Sequence, residues 1–433
     1  MRSTLSRYGV GALVLAGACL AIGGVAMAAE TSLWNVRDLG AAGDGQADDT
    51  AALQKALDGA GAAGGGIVRA PGGRYLIKGN LRVPAGVTLE GTFTAPPSHP
   101  GLRDKGLSKP GDAGTCLLAV ADEGKEEGDA FITLTHNATL KGVVIFYPNQ
   151  DPAAEPKPYP WCIALRGNNP AVLDVELVNP YNGIDARQNQ RHLIRNVHGQ
   201  PLRRGILVDQ IYDIGRIENV HWNPWWSTQP KLFQWQMANG EAFIFGRTDW
   251  HYVLNTFCFG YKVGYRFMQS DKGVTNGNFL GIGADDCWTA VVVEQSAPMG
   301  LLITNGEFVS FHGPEPTMVR VEGKHSGTVR FVNCAYWGPN KQIAVIGGSG
   351  TVGFSDCTFM QWDRDKEGRA AIQAKGGTVI VRGCEFRTDG PQVELAEGVR
   401  RAVVTDNVVA GAVRIANRAK GNVHVAGNVG TAK

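Results

Sequence analysis

From Asp174 onward, large apolar residues recur about every two dozen positions, each a few residues behind a small polar one. The leading position reads Asp174, Asn196, Asn219, Asn255, Asn276, Asn305, Asn333, Asp356, Gly383, Asp406 and Gly427. Three residues later stand Leu177, Trp222, Phe279, Phe308, Tyr336, Phe359, Phe386 and Val409, while Asn196 and Asn255 break the pattern with Gly199 and Cys258. The residue directly after the leader is often small, as in Cys334, Cys357 and Cys384. Two inward positions flanking one outward position are the period-two signature of a strand. A unit this short cannot bury its apolar face alone, so the copies must stack. Asparagine or aspartate suits the tight turn before each strand, because its side chain bonds nearby backbone and tolerates left-handed geometry. In a stack, these amides can also bond from rung to rung. The pattern predicts an all-β chain, a single-stranded parallel β-helix.

Other stretches depart from the repeat. In residues 29–90, Asp49 or Thr50 is placed to cap a short helix carrying Leu53, Ala56 and Leu57 on one face. Such a helix would cover the open end of the solenoid, followed by a glycine turn at Gly64–Gly66 and the first coils. Asp44, Asp48 and Asp49 lack the glutamate that a calcium loop needs, which favours capping over metal. Residues 91–433 read as the β-helix proper, with long excursions at about 91–130 and 222–252. The second excursion holds Trp222, Trp225, Trp226, Trp235 and Trp250, half of the ten tryptophans.

Residues 1–28 combine Arg2 and Arg7, an apolar run and the sequence Ala26-Met27-Ala28, which predicts a signal peptide and a secreted or periplasmic protein. A lipoprotein reading through Cys19 is weaker, since the apolar run continues past it. No other stretch is apolar for long enough to span a membrane. Without Arg2 and Arg7 the 42 basic residues become 40, equal to the 40 acidic ones, and this balance argues against nucleic acid as a partner. Seven of the eight cysteines remain, at spacings that match no zinc motif. Cys334, Cys357 and Cys384 share one rung position and read as buried thiols.

The run Asn35-Val36, Asp38-Leu39-Gly40-Ala41, Gly43-Asp44-Gly45, Asp48-Asp49-Thr50, Ala52-Leu53-Gln54, Gly65-Gly66 and Pro71 resembles the N-terminal signature of the pectate lyase superfamily domain. The resemblance implies a right-handed parallel β-helix of the polygalacturonase and rhamnogalacturonase kind. It does not fix the reaction, since the superfamily includes hydrolases, lyases, epimerases and phage tailspikes. Polygalacturonase-type hydrolases place an aspartate pair before a cysteine and a His-Gly one rung on. By that resemblance Asp285 and Asp286 match the acids and His312 the histidine. The family's Asn-Thr-Asp and Arg-x-Lys are absent; Asp271 lies at the far end of the preceding strand.

On a solenoid, residues that start one strand on successive rungs become neighbours about 4.8 Å apart. The row Arg203, Arg204, Lys262, Asp285, Asp286 and His312 is therefore the principal candidate site, with Arg204 and Lys262 as substrate contacts. Two carboxyls suit glycoside hydrolysis, one protonated to release the leaving oxygen and one ionised to activate water. The turn reading is that the pair merely precedes an inward Cys287. A second candidate lies in the long excursion, with Asp249 as an acid and Arg247, His251, Trp225 and Trp226 as sugar contacts, since indole faces stack on pyranose rings. Glu176, His198 and His221 also align on three rungs and read as a solvated ladder.

These features predict an enzyme that cleaves a polysaccharide or oligosaccharide, first as a glycoside hydrolase without cofactor or metal. The alternatives are a lyase or epimerase of uronic-acid chains, which would admit calcium, and a noncatalytic carbohydrate-binding solenoid. The sequence leaves the oligomeric state open.

Overall fold

The computed structural model describes residues 33–92 and 114–431, in which short parallel strands stack into a solenoid of about 14 turns. The expected signal peptide and most of the residues between 91 and 114 lie outside the described residues. Each full coil contributes to three faces. Among the described residues the first two are halves of one 27-stranded sheet bent at a corner, and the third is a 13-stranded sheet. One coil shows the plan, with Leu301–Thr304 on the first face, Glu307–Phe308 on the second and Thr317–Val321 on the third. The next coil repeats it in register with Thr328–Val332, Ala335–Tyr336 and Gln342–Ile346. Alternation decides what each strand buries: Val329 and Phe331 point inward, and Val332 points out.

The inward residues form one continuous core from Val36 to Val409. Phe308, Tyr336, Phe359 and Phe386 stack through it rung upon rung, with centroids 5.4, 5.2 and 4.8 Å apart. The seven described cysteines are buried and free, including Cys334, Cys357 and Cys384 as expected.

The corner between the first and second faces carries the asparagine ladder. Asp174, Asn196, Asn219, Asn255, Asn305, Asn333, Asp356 and Asp406 all have φ between 50° and 59°, the left-handed region that asparagine and aspartate enter most easily. Their side chains also bond along the stack. Asn196 Nδ2 donates to Asp174 Oδ1, Asn219 Nδ2 to Asn196 Oδ1 and Asn333 Nδ2 to Asn305 Oδ1, each at 2.8 Å. One expected member is displaced: Asn276 precedes a strand of the first face, and the corner of that coil is Gly281, with φ 64°. Phe279 misled the alignment because it is an inward residue of the first face.

At the N-terminal end, helix α1 (Thr50–Ala62) buries Leu53, Ala56, Leu57 and Ala60. Asp48, not Asp49, bonds the Thr50 backbone, at 3.0 Å. Asp49 turns back instead, and its two oxygens accept the backbone N–H groups of Ala42 and Gly43. The two excursions are shorter than expected. Thr115–Ala119 is already a second-face strand paired with Gly73–Ile77. The other excursion ends before Glu241–Phe245, a regular strand of the third face, and its chain between Trp222 and Gly240 holds helix α2 (Pro230–Asn239).

Inside the corner between the third and first faces, His192 and His251 are fully buried two coils apart. Their rings approach to 5.1 Å across the coil that bears Gly215, where a Cβ would lie 2.5 Å from a ring carbon of each. Burial pushes the His192 imidazole down to about 3 and holds that of His251 well below its ordinary value, helped by His192 and Arg216.

Two predictions follow from these corners. Asn333→Ala loses both the left-handed preference and a rung-to-rung bond and should lower stability in urea by about 1–3 kcal/mol, whereas Asn333→Gly should cost about 1 kcal/mol or less. Equal losses would show that the conformation does not matter. The histidines predict acid lability. Their folded affinity for protons is depressed, so stability holds above the ordinary imidazole value near 6.5 and falls below it, with a slope of about 1.4 kcal/mol per pH unit for each histidine. His251→Phe should flatten that fall in urea midpoints taken from pH 8 to pH 4. An unchanged slope would refute the assignment.

Candidate functional site

Positions two and four residues beyond each left-handed corner point away from the core, side by side up the second face. The nearer row runs Glu176, His198, His221, Phe257, Gly283, Glu307 and Ala335. The farther row places Phe259 beside Asp285, followed by Val309 and Trp337 on the next two coils.

The lower rungs of this face are roofed by the α2 excursion. Trp225 and Trp226, 7% and 6% exposed, are not open platforms. Trp225 packs on His198 and His221 with centroids 6.0 and 4.7 Å away, and Trp226 joins Leu118, Val144, Val178 and Leu232 in a small separate core. The row of Glu176, His198 and His221 is correspondingly not a solvated ladder. Glu176 is buried, and burial lowers the proton affinity of His198 and brings His221 to about 4.

The roof ends where Phe233 of α2 stacks on Phe259, with rings 6.3 Å apart and 11° from parallel. Beyond it lies a groove of about 440 Å³ lined by Phe257, Gly283, Asp285, Glu307, Val309 and Trp337, together with the corner residues Asn255, Gly281 and Asn305. Gly283 keeps its floor flat, since a Cβ there would meet the Phe257 ring at 3.0 Å. The Trp337 indole is 39% exposed, and its Nε1 donates to Glu307 Oε1 at 2.7 Å. Register offsets Glu307 from Asp285 by one coil and two residues, about 8 Å between Cα atoms at ordinary strand spacings.

Asp285 ends a second-face strand, and Asp286 is the left-handed residue that turns the chain toward the third face, with φ 53°. Behind the turn Cys287 points inward, as the turn reading expected. The pair is more than a turn, however. Burial raises the Asp285 carboxyl above the usual range, and the nearby charges of Asp286 and then Glu307 add to this against a lowering bond from the Asp286 backbone. Asp286 is itself raised by burial, while His312 Nδ1, in direct contact with Asp286 Oδ1, pulls the other way.

The remaining candidates do not join this cluster. Lys262 shares the corner but is exposed, and the strand it begins pairs with the one that follows Trp288. Arg204 stands three coils from that strand, about 14 Å along the stack, and pairs with Glu126 at 3.0 Å. Asp271, Asp249, Arg247 and His251 lie at another corner, between the third and first faces. There Asp271 is exposed and paired with Lys272 at 2.9 Å, Asp249 accepts from Asn276 at 2.9 Å, and Arg247 lies over Tyr212 at 5.2 Å. His251 is sealed in the core and cannot touch a ligand. The sequence reading missed Glu307, Trp337 and Phe257. The outward positions two and four past Asn255, Asn305 and Asn333 would have found them.

A further charged cluster lies on the third face. Asp185, 1% exposed, is held by Arg166 at 2.5 Å and Arg187 at 2.8 Å, and the Arg187 guanidinium lies 6.0 Å from the Trp161 ring. Among the described residues no group of three or more His, Cys, Asp or Glu side chains is arranged to hold a metal, and no helix is long and apolar enough to cross a membrane.

The coils define a parallel β-helix. Residues 33–111 match the family described as rhamnogalacturonase A/epimerase, pectate lyase-like. Mannuronan C5-epimerase AlgE1 of Azotobacter vinelandii is 59% identical over 46 residues, 11% of this chain and 3% of that protein. Alginate lyase 7 of the same organism is 54% identical over 46 residues, 11% of this chain and 5% of that protein. The matched stretch thus spans only a small part of these relatives. Over 90% of this chain and 98% of the other, the fold is similar to DFA-IIIase from Arthrobacter chlorophenolicus A6, with TM-score 0.55 and 12% identity. It is also similar to the N-terminal fragment of bacteriophage phi29 gene product 12, with TM-score 0.58 and 12% identity over 91% of this chain and 70% of that one.

A half-buried carboxyl crowded by other acids costs stability when ionised. Asp285→Asn should therefore leave the unfolding free energy at pH 7, read from urea midpoints, unchanged or higher by up to about 2 kcal/mol. A clear loss of stability would make Asp285 a structural residue.

Proposed function

We propose that the protein is an exported carbohydrate-active enzyme that cleaves a polysaccharide as a glycoside hydrolase, in the groove on its second face. The observation that carries this reading is Asp285, a carboxyl kept protonated to higher pH by burial and neighbouring acids, which shares an open groove with Glu307 and an exposed indole. Asp285 is suited to protonate the leaving glycosidic oxygen. Glu307, oriented by the Trp337 indole N–H, is suited to activate water one coil from Asp285. The face of Trp337 offers a stacking surface for a pyranose ring. Asp286 acts through Asp285 as a positioning residue that holds the turn and adds negative charge, and His312 holds Asp286. No cofactor enters this chemistry.

A second reading, a lyase or epimerase of uronic-acid chains, is favoured by Asp185 between Arg166 and Arg187. Arginines can neutralise a sugar carboxylate beside a group that takes the C5 proton, and the relatives that match the N-terminal stretch are named as mannuronan C5-epimerases and an alginate lyase. This reading would admit calcium.

Incubation with a panel of polysaccharides separates the two. A hydrolase releases reducing ends without near-ultraviolet absorption, and Asp285→Asn and Glu307→Gln should each lower its kcat by about 10²–10⁴. A general acid works only while protonated, so activity should fall as pH rises through the Asp285 value. Asp286→Asn removes a charge that raises that value and should move the alkaline limb to lower pH. An unsaturated product, or activity lost in Arg187→Ala but kept in Asp285→Asn, would overturn the hydrolase in favour of the third-face site.

A further inference from the structure

At the corner between the third and first faces, two successive coils place Tyr212, Trp250 and Tyr252 at the surface. Tyr212 and Trp250 are 53% and 60% exposed, and Tyr252 is half-buried. Trp250 has φ 49°, in the left-handed region that bulky side chains avoid. Its surroundings hold it there. The Trp250 backbone N–H donates to Asn276 Oδ1 at 2.9 Å and its indole Nε1 to the Tyr252 hydroxyl at 3.0 Å. The next residue, His251, is locked in the core. An indole is thus kept pointing into solvent by a conformation that disfavours it, and among the described residues no aromatic ring packs on it.

The polar groups around these rings are mostly paired with one another. Arg247 lies 5.2 Å from the Tyr212 ring and Arg216 5.9 Å from the Tyr252 ring. Arg191 pairs with Asp213 at 2.5 Å and Asp271 with Lys272 at 2.9 Å. Asp249 accepts from Asn276 Nδ2 on Oδ1. Charges of both signs leave little net field, which suits a hydroxyl-rich neutral ligand better than a polyanion. Next to Tyr252 on the first face, the outward surface continues through Asn278 to Leu302, with Leu280 alongside, and the two leucines are 43% and 42% exposed.

We propose that Tyr212, Trp250 and Tyr252 form a glycan-binding platform, distinct from the groove, that holds a neutral stretch of polysaccharide on this corner. Pyranose faces stack on the indole and phenol rings, and Asp249 and Arg247 take hydrogen bonds from and give them to sugar hydroxyls. The platform would tether the enzyme to a polymer while another segment occupies the groove. It rests on the carbohydrate-active reading given above.

The test is affinity electrophoresis of the full chain through gels containing hydroxyethylcellulose, glucomannan, polygalacturonate or alginate. Retardation should occur in a neutral gel, weaken about ten-fold in Trp250→Ala and recover largely in Trp250→Phe, as expected for one aromatic contact. Trp250→Asn, which suits the left-handed backbone, should bind as weakly as Trp250→Ala yet melt at a higher temperature than the native chain. A tryptophan with a purely structural role would not give that combination. The platform is overturned if Trp250→Ala is retarded like the native chain, or if only the anionic gels retard it. Concentration-dependent self-association that vanishes in Trp250→Ala without glycan binding would overturn it too, by making the corner an interface between copies. A native chain that cleaves a polymer but loses no retardation in Trp250→Ala leaves the groove standing. One that neither binds nor cleaves any of these polymers removes both readings.

Discussion

The left-handed corner between the first and second faces is the constraint on which the rest of the molecule depends. Each corner residue fixes the direction of a short strand that could not hold a conformation alone, and at Asn196, Asn219 and Asn333 the side chain also ties that strand to the coil below. Because all the corners share one conformation, every residue after them falls into register up the stack. Inward positions one and three become the column of thiols and aromatic rings, and outward positions two and four become the rows that carry the groove. Fold and site are therefore set by the same turn.

Much of the fold was legible in the sequence because this turn has a residue signature. Asn305, Asn333 and Asp356 could be found by type alone. Gly281 could not, since glycine adopts the same φ without leaving a polar mark, and Phe279 then drew the alignment to Asn276. That slip hid the place of Gly283 and Asp285 in the outward rows, which Glu307 and Trp337 continue. Both the rung spacing and the family resemblance set Asp286 near His312, and the two side chains are in direct contact. Trp225 and Trp226 failed for a different reason. Whether a tryptophan in a long connection faces solvent depends on where α2 comes to rest, and no local pattern records that. Asp271, at the far end of the strand preceding Asp285, and Asp249, in the long excursion, both lie at another corner. On a three-faced coil, a few residues are enough to pass from one corner to the next.

Two kinds of buried imidazole illustrate how burial is used differently along the solenoid. His192 and His251 fill a core corner on either side of Gly215 and are kept neutral there. His198 and His221 lie on the outside of the second face, neutral because Trp225 covers them. The groove with Asp285 starts where that cover stops, so one excursion decides both which outer residues are dry and which can meet a ligand.

The α2 excursion enters after Trp222 and leaves before Glu241, and the strands on either side keep the pairing they would have without it. Chain length is therefore free at this point in a way that it is not within a coil, where a single added residue would turn every outward side chain inward. Through Phe233 on Phe259, the same segment forms the end wall of the groove beside Asp285. The coils thus hold the groove-lining residues in fixed register while the loop sets where the groove ends, so that the loop can change in length without disturbing the rungs.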